Sequence, residues 1–109
     1  MNIKQIEKNT VGIKFYVEED GVELGRAWLY IIHNDLHIEP YGLVEDVFVA
    51  EDQRKKGVGG KILEQIIIEA KKRKCYKLIG TSRMSRDVVH EWYKRLGFRK
   101  YGLEFRMDF

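Results

Sequence analysis

The sequence predicts an α/β layered domain: a mixed, mostly antiparallel sheet flanked by helices, in the order β-β-β-α-β-α-β-β. Three observations lead there. The first half carries apolar residues at alternating positions between turn signals, which is the period of strands. From Gly57 to Lys74 the apolar period becomes that of a helix. A short apolar run and a second helical pattern follow, and strand–helix alternation of this kind builds a layered sheet with a crossover helix.

Each element has a local reason. Val11, Ile13, Phe15 and Val17 alternate and give one apolar face. Glu19-Asp20-Gly21 is a turn, and Val22 to Ile32 is a long second strand with Gly25 at a position suited to a bulge. Asn34-Asp35 turns the chain again, and Leu36 to Ile38 reads as a short edge closed by Pro40. Gly42 to Ala50 is a third strand, apolar apart from Glu45-Asp46, which predicts burial on both faces. In the helix Gly57–Lys74, Val58, Ile62, Leu63, Ile66, Ile67 and Ala70 form the apolar stripe. Tyr76 to Ser82 is a strand. The second helix has Ser85 as N-cap, Asp87 in its first turn, Val88, Val89, Trp92, Tyr93 and Leu96 on its apolar face, and Gly97 as its stop. Phe98–Tyr101 and Leu103–Phe109 are expected to close the fold as a hairpin through Gly102.

The chain has 109 residues and 44% hydrophobic content, which predicts a single domain spanning 1–109 with a core that is feasible but small. No apolar run reaches the roughly 20 residues of a membrane span, and the first residues carry no apolar signal core. Cys75 alone makes no internal disulfide. A cytoplasmic protein without a membrane partner is the expectation. The net charge of +3, with 34% charged residues of both signs, is too even to imply a nucleic-acid partner. No metal is expected.

The most informative stretch runs from Val47 to Leu63. Gly57, Gly59 and Gly60 stand where a strand gives way to a helix. Glycines at such a junction let backbone N–H groups approach a ligand, and the first N–H groups of a helix have no intrahelical partner. With the helix dipole they form an anion site that suits phosphate. Arg54, Lys55, Lys56 and Lys61 surround it with positive charge. A P-loop is excluded, because Gly60-Lys61 is followed by Ile62 rather than Ser or Thr. A dinucleotide fingerprint is excluded, because Ile62 stands where its third small residue is needed.

Arg54-x-x-Gly57-x-Gly59 resembles the pyrophosphate loop of the GNAT superfamily of N-acetyltransferases. Trp92-Tyr93-Lys94-Arg95-Leu96-Gly97-Phe98 resembles the second signature of that superfamily, an aromatic-Tyr-x-x-x-Gly-Phe helix end. Within the span, Val44-Glu45-Asp46-Val47-Phe48-Val49 and Cys75-Tyr76-Lys77 are similar to glucosamine-6-phosphate N-acetyltransferases. Further on the similarity lapses: Thr81 and Ser82 stand where those enzymes carry an acidic residue and a Cys. The resemblance implies acetyl-coenzyme A as cosubstrate, bound by Phe48, Val49, Arg54, Lys55, Lys56, Gly57, Val58, Gly59, Gly60, Lys61 and Tyr93. It implies acetyl transfer to a primary amine by direct attack in a ternary complex. It also implies a thioester carbonyl met by a strand N–H near Val47 to Val49.

Such transfer needs positioning, loss of a proton from the amine, and a proton for the leaving thiolate. The resemblance makes Tyr93 the acid toward the thiolate, and a phenol is protonated at neutral pH. Glu45 and Asp46 are strand neighbours, so their side chains are expected on opposite faces, and Glu45 is the candidate base. Its alternative role is a salt-bridged strand charge. His90 reads as a second base or a surface histidine, and Arg83 and Arg86 as a phosphate site or solvated loop charges. Cys75 has no obvious His partner for a nucleophilic role.

A usual domain of that superfamily opens with a strand and two helices, whereas about ten residues precede the hairpin here. The N-terminal helices are therefore expected to be missing, which leaves one side of the acceptor cleft open. A homodimer is the expected way to close it. The acceptor stays open between an amino sugar phosphate, a small amine and a protein amine. A different class also fits: a non-catalytic acyl-coenzyme A-binding or interaction module of the same fold.

Overall fold

Asp20 and Gly21 both adopt positive φ, 51° and 78°, the left-handed pair that a two-residue hairpin turn requires. They join strand β1 (Val11–Glu19) to strand β2 (Val22–Ile32). In the computed structural model, which describes residues 1–109, β2 pairs antiparallel with β3 (Tyr41–Val49). β3 then pairs parallel with β4 (Leu78–Gly80). The sheet is four-stranded and mixed, in the order β1-β2-β3-β4. Helix α1 (Val58–Lys72) crosses from β3 to β4, and helix α2 (Asp87–Arg95) follows β4. The predicted fold class and the order β-β-β-α-β-α are present.

Strand alternation decides the core. Gly25, Ala27, Leu29 and Ile31 of β2 and Gly42 and Val44 of β3 are buried on one face. The α1 stripe of Ile62, Leu63, Ile66 and Ala70 covers them, with Ile13, Phe15 and Val17 of β1 at the margin. Both helices lie on this face: a Cβ at Gly59 of α1 would meet Trp92, and a Cβ at Gly80, which pairs with Val44, would meet Tyr93. The opposite face carries Arg26, Trp28, Tyr30 and Leu43 without a helix over it, and Trp28 and Tyr30 stack with ring centroids 6.0 Å apart. No helix is long and apolar enough to cross a membrane.

Gly25 allows the close approach of α1. A Cβ there would lie 2.8 Å from Val58 Cγ1, 3.2 Å from the Phe48 carbonyl and 3.3 Å from Ile62 Cδ1. Gly25→Ala is expected to destabilise the fold by about 1–3 kcal/mol through overpacking, read as a lowered urea midpoint with an unchanged slope.

The structure corrects several expectations. The closing β-β hairpin does not form, and residues 98–109 carry no strand. Tyr101, Leu103, Phe105, Met107 and Phe109 are all exposed. Their alternation has strand period, but a two-stranded hairpin needs a third strand or an apolar surface to hold in water, and these side chains are left exposed, with no strand to receive them. Leu36 and Ile38 are exposed and form no edge strand for the same reason. β3 is buried only in its first half; from Glu45 to Phe48 it is exposed.

Candidate functional site

β3 and β4 pair only over Gly42–Val44 and Leu78–Gly80. Beyond Val44, β3 runs on through Val49 with β2 as its only strand partner. A bulge bends it there. The register steps from Trp28↔Glu45 to Arg26↔Phe48, so β3 spends one residue more than β2. Asp46 holds the bulge at φ 53°, in the left-handed region. A bulge raises the local twist and turns the strand aside. The parallel pairing ends where β4 ends, at Gly80, so beyond Val44 the β4 side of β3 is left without a strand partner. This gap lies at the carboxyl ends of the two parallel strands, the place where open α/β sheets bind ligands.

The chain leaves β3 through a short turn, Glu51–Gln53, and enters α1 at Gly57. Gly57 is the N-cap residue at φ 83°, a conformation costing other L-residues roughly 1–2 kcal/mol. No side chain caps the helix, and its first backbone bond runs from the Lys61 N–H to the Gly57 carbonyl at 3.0 Å. The N–H groups of Gly57, Val58, Gly59 and Gly60 have no acceptor in the chain. Unpaired N–H groups at the positive end of a helix dipole form an anion site. Arg54, Lys55, Lys56 and Lys61 are exposed around it. Arg54 is tied back, its Nε donating to the Val49 carbonyl at 3.2 Å.

The three glycines divide the work. A Cβ at Gly57 or Gly60 would meet nothing, so both face outward. A Cβ at Gly59 would lie 3.2 Å from Val49 and 3.3 Å from the Trp92 ring. Gly59 is buried and lets α1 close on β3 and α2. A charged substitution there would report on folding before it reported on a ligand.

Tyr93 comes to the gap from the helical face. Its ring rests on Gly80, where a Cβ would come within 2.8 Å, and meets Phe98 edge-on with centroids 5.1 Å apart. Its hydroxyl donates to the Thr81 carbonyl at 3.5 Å. Burial, and then the charge of Glu45, push the phenol's pKa above its ordinary value. Glu45 approaches from the other face, because it pairs with Trp28.

Asp46 lies on the same face as Glu45, contrary to the expectation for strand neighbours. The bulge breaks the alternation and brings Asp46 to Arg26, whose Nε and Nη2 donate to its carboxylate at 2.8 and 3.1 Å. Arg26 holds the Asp46 carboxyl below its ordinary pKa. Asp46 is thus the salt-bridged strand charge, while Glu45 has no protein partner. Phe48 is partly exposed beneath the Arg26 guanidinium, 4.7 Å from the ring centroid.

The remaining candidates separate by geometry. His90 Nε2 is 2.8 Å from the Arg83 carbonyl, so its ring ties down the loop before α2. Arg86, not Ser85, is the N-cap residue, and no side chain caps α2. Val88 is exposed rather than on the apolar face. Burial raises the Cys75 thiol's pKa, the wrong direction for a nucleophile. Sequence reasoning passed over Arg26 and Gly80. Arg26 is marked only by strand register, and Gly80 only by the aromatic that rests on it.

The profile of the acetyltransferase (GNAT) domain family matches residues 12–100. Streptothricin acetyltransferase A of Bacillus subtilis (strain 168) is 33% identical over 100 residues, covering 84% of this chain and 56% of that protein. The chain thus spans little more than half the length of that curated relative. The solved glucosamine-6-phosphate N-acetyltransferase of Arabidopsis thaliana superposes with a TM-score of 0.82 at 23% identity, over 90% of this chain and 67% of that one. An aminoglycoside N-acetyltransferase solved in complex with coenzyme A superposes with a TM-score of 0.71 at 21% identity, over 87% of this chain and 75% of that one.

Proposed function

The chain belongs to the acetyltransferase (GNAT) domain family, and from that premise we propose that it transfers an acetyl group from acetyl-coenzyme A to a primary amine by direct attack in a ternary complex. One observation carries this reading: an unpaired helix N-terminus and a half-buried phenol flank the same gap, where the parallel pairing of β3 and β4 ends. The free N–H groups at Gly57–Gly60, the outward faces of Gly57 and Gly60, and the four basic side chains suit a pyrophosphate. The coenzyme A held by a neighbour of the same fold is in keeping with that ligand.

When bound, acetyl-coenzyme A supplies an activated acyl group. Phe48 and Val49 would line its path along the edge of β3 that β4 leaves open, where strand N–H groups would polarise the acyl oxygen. Glu45, without a protein partner, takes the proton of the incoming ammonium directly or through water. Tyr93 holds the proton destined for the leaving sulfur. Burial and the Glu45 charge raise its pKa above that of an ordinary phenol, so it stays protonated through neutral pH, and no loss of rate by ionisation of the acid is expected there.

The test is thiol release from acetyl-coenzyme A with a panel of acceptors: glucosamine 6-phosphate, streptothricin, simple polyamines and peptides with free amines. One acceptor class should support turnover, with intersecting initial-rate lines. Parallel lines would mean a covalent acyl-enzyme and would refute direct attack. Coenzyme A binding with no turnover on any amine would leave the non-catalytic module. The uncovered sheet face, with Trp28 and Tyr30, and the exposed Val11, Tyr16 and Val22 suit a second copy of the chain. Light scattering should then give twice the 12.9 kDa of one chain; a monomer with full activity would refute the dimer.

A further inference from the structure

We propose that Arg26 is a positioning residue of this site: by forking onto Asp46 it fixes the β3 bulge, and the bulge decides which N–H groups of β3 face the gap. The inference rests on the acetyl-coenzyme A reading above.

The geometry converges on one guanidinium. Arg26 lies at the register step itself, opposite Phe48. Its Nε and Nη2 donate to the two oxygens of Asp46, and its Nη1 donates to Glu23 Oε2 at 3.0 Å. Its Cζ stands over the Phe48 ring. Glu23 is itself paired with Lys14 of β1. The guanidinium is therefore held from β2 and grips β3 on both sides of Val47. Only a planar fork makes these contacts together; an ammonium is a point charge with no paired donors.

Asp46 needs such a grip. Left-handed backbone is disfavoured for L-residues, and although Asp tolerates it better than most, the fork from Arg26 ties the Asp46 carboxylate at φ 53° to β2. Strand groups alternate with a period of two, so one extra residue exchanges the set that faces each side. Without the bulge, the other set of N–H groups from Val47 to Val49 would face the gap, and the acyl oxygen would lose its donor. The loop Arg54–Lys61 lies beyond the bulge and makes no hydrogen bond to Arg26 or Asp46; its side-chain tie to β3 runs from Arg54 to the Val49 carbonyl. Exposed ion pairs of this kind add little to overall stability, so the consequence falls on the acyl end of the ligand.

Calorimetry on R26K and D46N, with acetyl-coenzyme A and with coenzyme A as separate probes, tests this without knowledge of the acceptor. Both variants are expected to bind acetyl-coenzyme A about tenfold more weakly, the worth of one hydrogen bond, with coenzyme A affinity and melting temperature unchanged. Equal changes for the two probes, or no change for either, would overturn the role of Arg26. Wild-type protein that binds neither probe would instead overturn the cofactor reading, and this inference with it.

Discussion

Tyr93→Phe is expected to lower turnover by about 10²–10⁴-fold, the range of a positioned general acid, while melting temperature and acetyl-coenzyme A affinity stay near wild type. The substitution keeps the ring on Gly80 and its edge contact with Phe98. It removes a hydroxyl whose single hydrogen bond within the protein is to the Thr81 carbonyl at 3.5 Å, at the outer limit of hydrogen bonding. A structural role for that hydroxyl would therefore be worth little, and a large loss of rate belongs to the chemistry. Gly80→Ala is the companion variant. Its Cβ would stand 2.8 Å from the Tyr93 ring, so it displaces the phenol without deleting it. It should lower turnover as well, with a modest cost in stability. A wild-type rate in Tyr93→Phe would make Tyr93 a packing residue and transfer the search for the acid to solvent.

The parts of the fold that depend on local pattern were readable in the sequence. Alternation along Val11–Val17 and Val22–Ile32, the Asp20-Gly21 turn, and the helical stripe from Val58 to Ala70 each report their own element. The parts that depend on register were not. Whether Glu45 and Asp46 share a face is settled by a bulge between two strands, and no property of the two residues announces it. Gly57, Gly59 and Gly60 look alike in the sequence, and only the packing of Trp92 and Val49 separates the inward glycine from the outward pair. The tail failed in the opposite sense. Leu103, Phe105, Met107 and Phe109 alternate well, but alternation describes a strand only where an edge and an apolar surface receive it.

Gly60→Asp is expected to weaken acetyl-coenzyme A binding by about 10²-fold or more, roughly 2.7 kcal/mol, without loss of stability. A Cβ at Gly60 meets nothing within 4 Å, so the side chain has room. Its carboxylate would stand among the unpaired N–H groups at the positive end of α1. For the helix itself this is favourable: an acid in the first turn stabilises by about 0.3–1 kcal/mol, and α1 has no acid in its first turn. For a pyrophosphate it is repulsion within a few ångströms, at a place where like charges cost several kcal/mol. The two effects have opposite signs, which separates an anion site from a mere helix start: the melting temperature holds or rises while affinity collapses. Gly60→Ala supplies the space-filling control and should bind normally. Gly59→Asp should behave differently, losing the fold because its side chain is driven against Val49 and Trp92. A folded Gly60→Asp protein with wild-type affinity would sink the assignment of the loop from Arg54 to Lys61.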